Sequence, residues 1–410
     1  MPFSPPLADA AELSQIESVL KSGWLTRGPK CDDFEAKMAS YLGAAESLAV
    51  SSCTAALHLA LKVLDLGPKQ GVIVTPLTFP STVHAIVYLG ATPFLVDIEP
   101  KTGNLDPELV RLFLTKECHK GPNGQPIHTK TQIPVKALLP IHYGGFPADL
   151  GAFWSLCQEY NLALVEDAAH ALGARYDGRL IGDPSLRPAD APPNLVAFSF
   201  YATKNLATGE GGLLMGSPSD LIKRARVLSA YGINDARRIY GRDNLRGTWD
   251  YDVVDLGFKY NFTDIGAAIG LAQLEKLPRF LAQRQERAAI WTAALESLRD
   301  LVELPAESPN TVSAWHLYPL KLHLDRLTLD RDSLSRRLND LNLGHSVMFR
   351  PIHLHTYYQK TLAYPKGSLP RAEDFFAREL SLPIAPALDL LDLTAAANLL
   401  VLLLKSSARV

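Results

Sequence analysis

A single lysine, Lys204, stands between two apolar runs of the sequence, "LVAFSF" at 195–200 and "GGLLMG" at 211–216. A buried lysine is costly unless its charge is removed or used, and a lysine with a lowered pKa can act as a nucleophile or base toward a carbonyl group. A lysine on a surface loop would give the same local pattern. Lys204 therefore needs partners elsewhere in the chain before it indicates chemistry.

Two other polar groups also follow apolar runs. Asp167 comes directly after "LALVE", with His170 three residues later, and "SSCT" at 51–54 comes after "LAV" and opens a helical pattern. A carboxylate at the end of a buried strand needs a cationic partner, which a protonated heterocyclic nitrogen would supply. Free amide groups at a helix N-terminus bind an anion. Taken alone, each pattern also fits a capping residue or a satisfied core histidine.

The elements that must position these residues are short apolar runs separated by helical patterns. Runs without alternation are typical of strands that are buried on both faces of a mostly parallel sheet, so an α/β fold is predicted. Ligands bind at the carboxyl ends of such strands, where the anion site, the carboxylate and the lysine would meet. Together they predict a pocket for pyridoxal 5′-phosphate (PLP). The runs lie at 48–52, 71–76, 92–98, 135–142, 162–167, 195–200 and 211–216.

The pattern changes after about residue 270, where a long helical stretch begins. We predict a large domain over residues 1–270, with an N-terminal arm of about 30 residues, and a smaller α+β domain over 271–410. Within the smaller domain, the sequence predicts a strand at 314–324, a helix at 331–343 and a terminal helix.

Composition excludes several classes of partner. The formal net charge of −2 gives no long-range attraction to nucleic acid or anionic membrane, and the four cysteines form no CxxC pair that would indicate zinc. The most apolar segment starts at Ala395 and has about half the length that is needed to cross a bilayer. With no signal-peptide pattern at the start, a cytoplasmic protein without a metal, a nucleic-acid partner or a membrane partner is expected.

The chain resembles the DegT/StrS-type PLP-dependent sugar aminotransferases over nearly its whole length. The resemblance implies a PLP fold type I aminotransferase, with a seven-stranded mostly parallel sheet in the large domain. The variant "GFKYNFTD" at 257–264 is similar to the branch that aminates UDP-4-keto-arabinose. The matching motifs include "GWLTRGPKCDDFEAKMASYLG" (23–43), "SCTAALHLAL" (52–61), "VEDAAHALGARYDGRLIGD" (165–183), "FSFYATKNLATGEGG" (198–212) and "FRPIHLHTYYQK" (349–360).

The resemblance implies roles around the cofactor ring. Lys204 would form the Schiff base with PLP and move the proton, and Asp167 would pair with the pyridinium nitrogen. His170 would lie beside the 3-oxygen of the ring, and Phe79 would stack on the ring. Because some members carry histidine at the lysine position and act as dehydratases, Lys204 favours transamination.

The resemblance also implies a phosphate site shared between two subunits. The amides of Cys53 and Thr54, together with Ser199, would hold the phosphate of PLP. A partner subunit would complete the site with Asn261 or Lys259 in a homodimer.

Further residues are candidates for contact with the sugar substrate. His353, Tyr357 and Trp24 would border it together with Lys259, and arginines at 237, 238 and 242 would meet a nucleotide diphosphate. The alternative interpretations are a packed loop around His353, a core position for Trp24 and a solvated loop around the arginines. The spacing of His353 and His355 is compatible with a metal site, but no carboxylate or cysteine accompanies the pair in the sequence.

The resemblance implies the transfer of an amino group from glutamate to a nucleotide-linked keto-sugar, at C4 of the sugar, in amino-sugar and glycan or lipopolysaccharide biosynthesis. Two alternatives remain open. One is amination at C3 of a 3-keto sugar nucleotide, and the other is a PLP-binding regulatory protein without catalysis. The absence of a basic or DNA-binding segment argues against the regulator.

Overall fold

The computed structural model describes residues 1–122, 124–234, 251–305 and 307–409. The arginines at 237, 238 and 242 lie outside the described residues. In the described part of the chain, no helix combines the length and the apolar character that crossing a bilayer would require.

The large unit is built on a central sheet. Each of the seven apolar runs of the sequence forms one strand along its main path, and two short strands extend the sheet. These strands are β1 (Ser47–Val50), β2 (Gly71–Val74), β3 (Thr92–Leu95), β4 (Cys118–Lys120), β5 (Pro126–His128), β6 (Ile133–Leu139), β7 (Ala163–Asp167), β10 (Asn194–Ser199) and β11 (Gly212–Ser217). The spatial order of the main path is β1-β11-β10-β7-β6-β2-β3, and the short strands β5 and β4 lie beside β6.

One antiparallel strand lies inside an otherwise parallel path. Strand β11 pairs antiparallel with both β1 and β10, so β1 and β10 run in the same direction. The register sets Gly212 opposite Val50 on one side and opposite Ser199 on the other, while Ala197 pairs with Asp167 across β10 and β7. The carboxyl ends of β1, β10 and β7 therefore meet at one edge of the sheet.

Helices cover both faces of this sheet, and each face has its own apolar core of fully buried side chains. Burial on both faces explains why the strands are continuous apolar runs rather than alternating ones. The helices of the large unit are α1 (Ala10–Ser22), α2 (Pro29–Leu42), α3 (Cys53–Val63), α4 (Pro80–Tyr88), α5 (Pro107–Lys116), α6 (Leu150–Tyr160) and α7 (Ser219–Ser229).

The C-terminal part forms a smaller α+β unit with a third apolar core around Trp291 and Tyr318. Its strands are β12 (Val302–Glu303), β13 (Thr311–Val312), β14 (Tyr318–Leu322) and β15 (Glu379–Leu382). Its antiparallel sheet has the order β12-β14-β15, and β13 pairs with β8 (Arg175–Tyr176) of the large unit, which pairs in turn with β9 (Arg179–Leu180). The helices are α8 (Asp264–Leu295), α9 (Arg331–Asp340), α10 (Thr356–Thr361), α11 (Pro370–Arg378) and α12 (Leu390–Ser406).

Helix α8 runs through residue 270, where the sequence pattern changes, and connects the two units. At its start, Asp264 is buried and caps the N-terminus of α2. Its Oδ1 accepts from the backbone N–H groups of Gly28 at 2.7 Å and Cys31 at 3.0 Å, and its Oδ2 accepts from the N–H group of Lys30 at 3.1 Å. One carboxylate therefore satisfies several amide groups that the end of a helix leaves without partners.

Replacing Asp264 by alanine should destabilise the protein by about 2–4 kcal/mol, because buried N–H groups at the start of α2 lose their acceptor. The measurement is urea unfolding of the apoprotein at a fixed concentration, followed by circular dichroism. The matched control is Asp220→Ala on α7, whose carboxylate is exposed and forms a surface ion pair with Lys223. Equal unfolding midpoints for the two variants would show that the Asp264 cap contributes no stability.

Candidate active site

Lys204 lies in the turn that follows β10, and its backbone N–H donates to the carbonyl of Tyr201 at 2.8 Å. Its side chain is partly buried and interacts electrostatically with Cys53 and Asp167. Burial lowers the pKa of the Lys204 amine to about 8, with a smaller lowering contribution from the guanidinium of Arg284, while Cys53 and Asp167 favour the charged form. An amine with this pKa is partly neutral near physiological pH and can react with a carbonyl group.

Asp167 is the last residue of β7 and is buried. Its Oδ2 accepts from the hydroxyl of Thr82 at 2.7 Å, and its Oδ1 accepts from the backbone N–H of Ala169 at 3.1 Å. Burial raises the pKa of the Asp167 carboxyl, against these hydrogen bonds and the attraction of Lys204. Glu166 points to the other face of the sheet, as alternation along a strand requires, and bonds to His142 instead.

His170 completes this cluster and is also buried. Its Nδ1 accepts from the backbone N–H of Gly144 at 3.2 Å. Burial, and secondarily the positive charge of Lys204, hold the pKa of His170 well below its ordinary value, so the ring is neutral. The structure thus brings Lys204, Asp167, His170 and Cys53 together from the ends of three strands, β10, β7 and β1.

An anion site opens at the same edge of the sheet. Ser52 caps α3 by accepting from the N–H of Ala55, and within the described residues the amide groups of Cys53 and Thr54 have no acceptor. Gly212 lies so close that a Cβ there would come within 2.5 Å of the Cys53 nitrogen. Ser199, paired beside Gly212, brings its side chain to the same edge.

Aromatic rings border the cluster. Phe79 precedes α4 and is 58% exposed, so its face is available to a bound ring. It makes an edge contact with Phe349, whose ring lies 5.9 Å from that of His170 at an interplanar angle of 23°. Phe349 comes from the smaller unit, which therefore reaches into the site.

The residues of this cluster fit PLP. Free amides at the start of a helix and a serine hydroxyl suit a phosphate, a buried carboxylate suits a ring nitrogen, and an amine with a lowered pKa suits an aldehyde. The backbone approach at Gly212 supports the fit, because a side chain there would collide with the start of α3.

Two predicted site residues line a cleft outside this cluster, although the backbone of Asn261 is bridged to Val50 at the end of β1. Trp24 and Asn261 line a cleft of about 870 Å³ between α1, α2 and β1, and neither Lys204 nor Asp167 lines it. The side-chain amide of Asn261 is 3.4 Å from the hydroxyl of Thr26. Lys259 is exposed, and its ammonium lies 5.1 Å from the centre of the Tyr231 ring.

The two candidates from the 349–360 motif have different surroundings. His353 is fully buried, and its Nε2 lies 2.9 Å from Oε1 of Glu373, an arrangement that suits a packed loop. Tyr357 is 54% exposed, and its ring contacts that of Tyr358. Neither residue has a described contact with Lys204, Asp167 or His170.

The sequence patterns did not single out several residues that the structure brings to the cluster. These are Thr82, Asn205, His316 and Phe349. Thr82 lies three residues after Phe79, and Asn205 directly follows Lys204, so proximity along the chain was an available signal for both. His316 and Phe349 come from distant segments, and only the packing of the smaller unit reveals them.

The chain is similar to known proteins over nearly its whole length. The model of the DegT/DnrJ/EryC1/StrS aminotransferase family matches residues 6–400. The spore coat polysaccharide biosynthesis protein SpsC of Bacillus subtilis is 38% identical over 389 residues, which cover 95% of this chain and 93% of SpsC. The PLP form of Spr1654 from Streptococcus pneumoniae superposes with a TM-score of 0.85, at 26% identity and 99% coverage of both chains. The sugar aminotransferase CalS13 from Micromonospora echinospora superposes with a TM-score of 0.80, at 28% identity, with 97% of this chain and 98% of CalS13 covered.

We predict that Lys204 in the apoprotein reacts with an amine-acylating reagent at a rate that rises through about pH 8 and then levels off, because burial lowers its pKa. In urea the same lysine should follow its ordinary pKa of about 10.4. Brief acylation across a pH series, followed by peptide mass spectrometry, measures both profiles.

The matched variant is Asp167→Asn. Since the Asp167 charge raises the pKa of Lys204, removing that charge should move the native profile to lower pH. A native profile that coincides with the profile in urea would contradict the assignment of Lys204 as a desolvated amine.

Proposed function

Because this chain belongs to the DegT/DnrJ/EryC1/StrS aminotransferase family and is a PLP-dependent sugar aminotransferase, we propose that it moves an amino group from glutamate to C4 of a nucleotide-linked 4-keto-sugar. The observation that carries the proposal is the Lys204 amine beside Asp167 and the free amides of α3. The product would be a 4-amino sugar nucleotide for glycan biosynthesis in the cytoplasm.

When bound, PLP supplies an electron sink that stabilises negative charge on the carbon from which a proton is removed. The residues of this chain hold and move the proton. With a pKa of about 8, the Lys204 amine can accept a proton from the carbon that bears the amino group and release it again near neutral pH. Asp167 would hold a protonated ring nitrogen, and neutral His170 would offer a hydrogen bond without adding charge.

A relative in sequence and a relative in structure both support a sugar substrate. SpsC is named for spore coat polysaccharide biosynthesis, and CalS13 is a sugar aminotransferase. The nucleotide linkage and the C4 position rest on the resemblance of "GFKYNFTD" at 257–264 to the branch that aminates UDP-4-keto-arabinose. Amination at C3 of a 3-keto sugar nucleotide uses the same cofactor site and is the other outcome of the test.

We further propose a homodimer in which each subunit completes the phosphate site of the other. In support, Asn261 lines a cleft that neither Lys204 nor Asp167 lines. Asn261 or Lys259 of the partner subunit would then reach the phosphate that Ser199 and the α3 amides hold.

Incubating the protein with PLP, glutamate and a panel of 4-keto and 3-keto nucleotide sugars should give an amino sugar nucleotide with nitrogen at C4. Mass spectrometry and NMR of the product identify the sugar and the aminated carbon. Lys204→Ala should lower the rate by at least about 10³-fold, because the amine that moves the proton is missing.

The control for this experiment is Lys223→Ala, which removes a surface lysine on α7 that pairs with Asp220 and should keep the wild-type rate. Nitrogen at C3 would replace the C4 assignment. A Lys204→Ala protein with full turnover would exclude transamination through this lysine.

A mixture of two inactive variants tests the shared site. A hybrid dimer of Lys204→Ala with the double variant Lys259→Ala/Asn261→Ala should contain one intact site and one inactive site. About half of the dimers in an equal mixture are hybrids, so co-expression with two different tags should restore about a quarter of the wild-type activity. Hybrids of Lys204→Ala with Asp167→Ala are the control, because both substitutions lie in the cluster of one chain and their hybrid has no intact site. Equal recovery in both mixtures would exclude a site shared in this way.

A further inference from the structure

His316 lies against the active-site histidine and has no role in the function proposed above. It precedes β14 by two residues in the smaller unit and is buried. Its ring centre is 4.3 Å from that of His170, with an interplanar angle of 36°. The two imidazoles are therefore packed on each other, although they are far apart in the sequence.

The hydrogen bonds fix the tautomer of His170. Its Nδ1 accepts from the backbone N–H of Gly144, so Nδ1 carries no proton. Because burial keeps the ring neutral, the single proton must be on Nε2. His170 thus enters the site as a hydrogen-bond donor through Nε2.

His316 has the opposite tautomer, which Asn205 determines. The side-chain amide of Asn205 donates to the carbonyl of Ala314 at 2.8 Å, so its oxygen faces Nδ1 of His316 at 3.3 Å. An amide oxygen only accepts, and Nδ1 of His316 must therefore carry the proton. Burial, and then the neighbouring charges of Lys204 and Arg284, hold the pKa of His316 well below its ordinary value, so this ring is neutral too.

Both histidines are bonded to one turn of the backbone, His170 through its ring and His316 through its backbone N–H. The carbonyl of Gly144 accepts from the backbone N–H groups of His316 and Leu317, both at 3.0 Å, while the N–H of the same glycine donates to His170. Gly145 has a φ of +94°, and a Cβ there would come within 3.0 Å of the His170 carbonyl and the His316 nitrogen. A glycine at 145 is what allows the two histidine segments to approach.

The same network reaches the reactive lysine. Asn205 directly follows Lys204, so the hydrogen bond that orients His316 also restrains the turn that carries Lys204. On the far side, the guanidinium of Arg284 donates to the carbonyls of Trp315 and His316 at 3.4 and 3.3 Å. His316 is thus held from the lysine turn, from the Gly144 turn and from α8.

We propose that His316, bonded to Asn205, is a positioning residue for transamination. It keeps His170 in the orientation that donates through Nε2, and it restrains the turn that carries Lys204. Nε2 of His170 and the amine of Lys204 therefore keep their relative positions during proton transfer. The inference concerns the transamination that family membership gives, and it does not depend on which sugar is the acceptor.

Two variants remove the His316–Asn205 bond from opposite sides. His316→Phe keeps a ring packed on His170 but has no N–H group, and Asn205→Ala removes the acceptor. Each should lower the saturating rate of the glutamate half-reaction about tenfold, with the affinity for glutamate unchanged. The double variant should lose no more than about tenfold, because both substitutions break one interaction. Stopped-flow absorbance of the bound cofactor measures these rates.

A second measurement needs neither cofactor nor substrate. In ¹⁵N-histidine NMR of the wild-type apoprotein, His170 should show an unprotonated Nδ1 and a protonated Nε2. In His316→Phe and Asn205→Ala, Gly144 still fixes this tautomer, but the Nε2 signal of His170 should shift, because the ring packed against it is replaced or no longer restrained. His128→Gln, at the far edge of the sheet where His128 bonds to Thr131, is the control and should change neither the His170 signal nor the half-reaction.

Losses that multiply to about 100-fold in the double variant would overturn the proposal, and so would an unchanged His170 signal in both single variants. If wild-type protein fails to react with glutamate, the amino-donor assignment fails, while the NMR experiment still decides the role of His316.

Discussion

The close approach of β11 to the start of α3 is the constraint on which the active site depends. Strand β11 lies antiparallel between β1 and β10, and its first residue, Gly212, comes so near Ser52 and Cys53 that no side chain fits there. This contact brings the free amides of α3 beside the end of β10, where Ser199 ends the strand and the Lys204 turn begins. A larger residue at 212 would separate the anion site from the lysine.

The second property of the site is that its two histidines are neutral and its lysine has a lowered pKa. Burial disfavours the charged forms of Lys204, His170 and His316, and the carboxylate of Asp167 is held by Thr82 and a backbone amide. Charges in a buried site interact strongly, so a cluster of cations would repel one another and lower the affinity for a protonated ring. Hydrogen bonds rather than ion pairs orient these side chains.

Much of the fold could be predicted from the sequence, because strands buried on both faces are visible as apolar runs, and each run forms a strand. The proximity of Lys204, Asp167 and Cys53 also follows from topology, since each lies at or just beyond the end of a strand and these three strands end at the same edge. The antiparallel direction of β11 leaves no mark on an apolar run. The contact of His316 with His170 depends on side-chain packing between segments far apart in the sequence, and local patterns do not encode it.

Helix α8 makes the two units mechanically dependent on each other. At one end Asp264 holds the start of α2, and near the other end Arg287 donates to the carbonyls of Pro386 and Leu388 in the smaller unit. Its 32 residues, with Pro278 inside, rise over about 48 Å. The smaller unit therefore cannot move relative to the large one without moving or bending this helix.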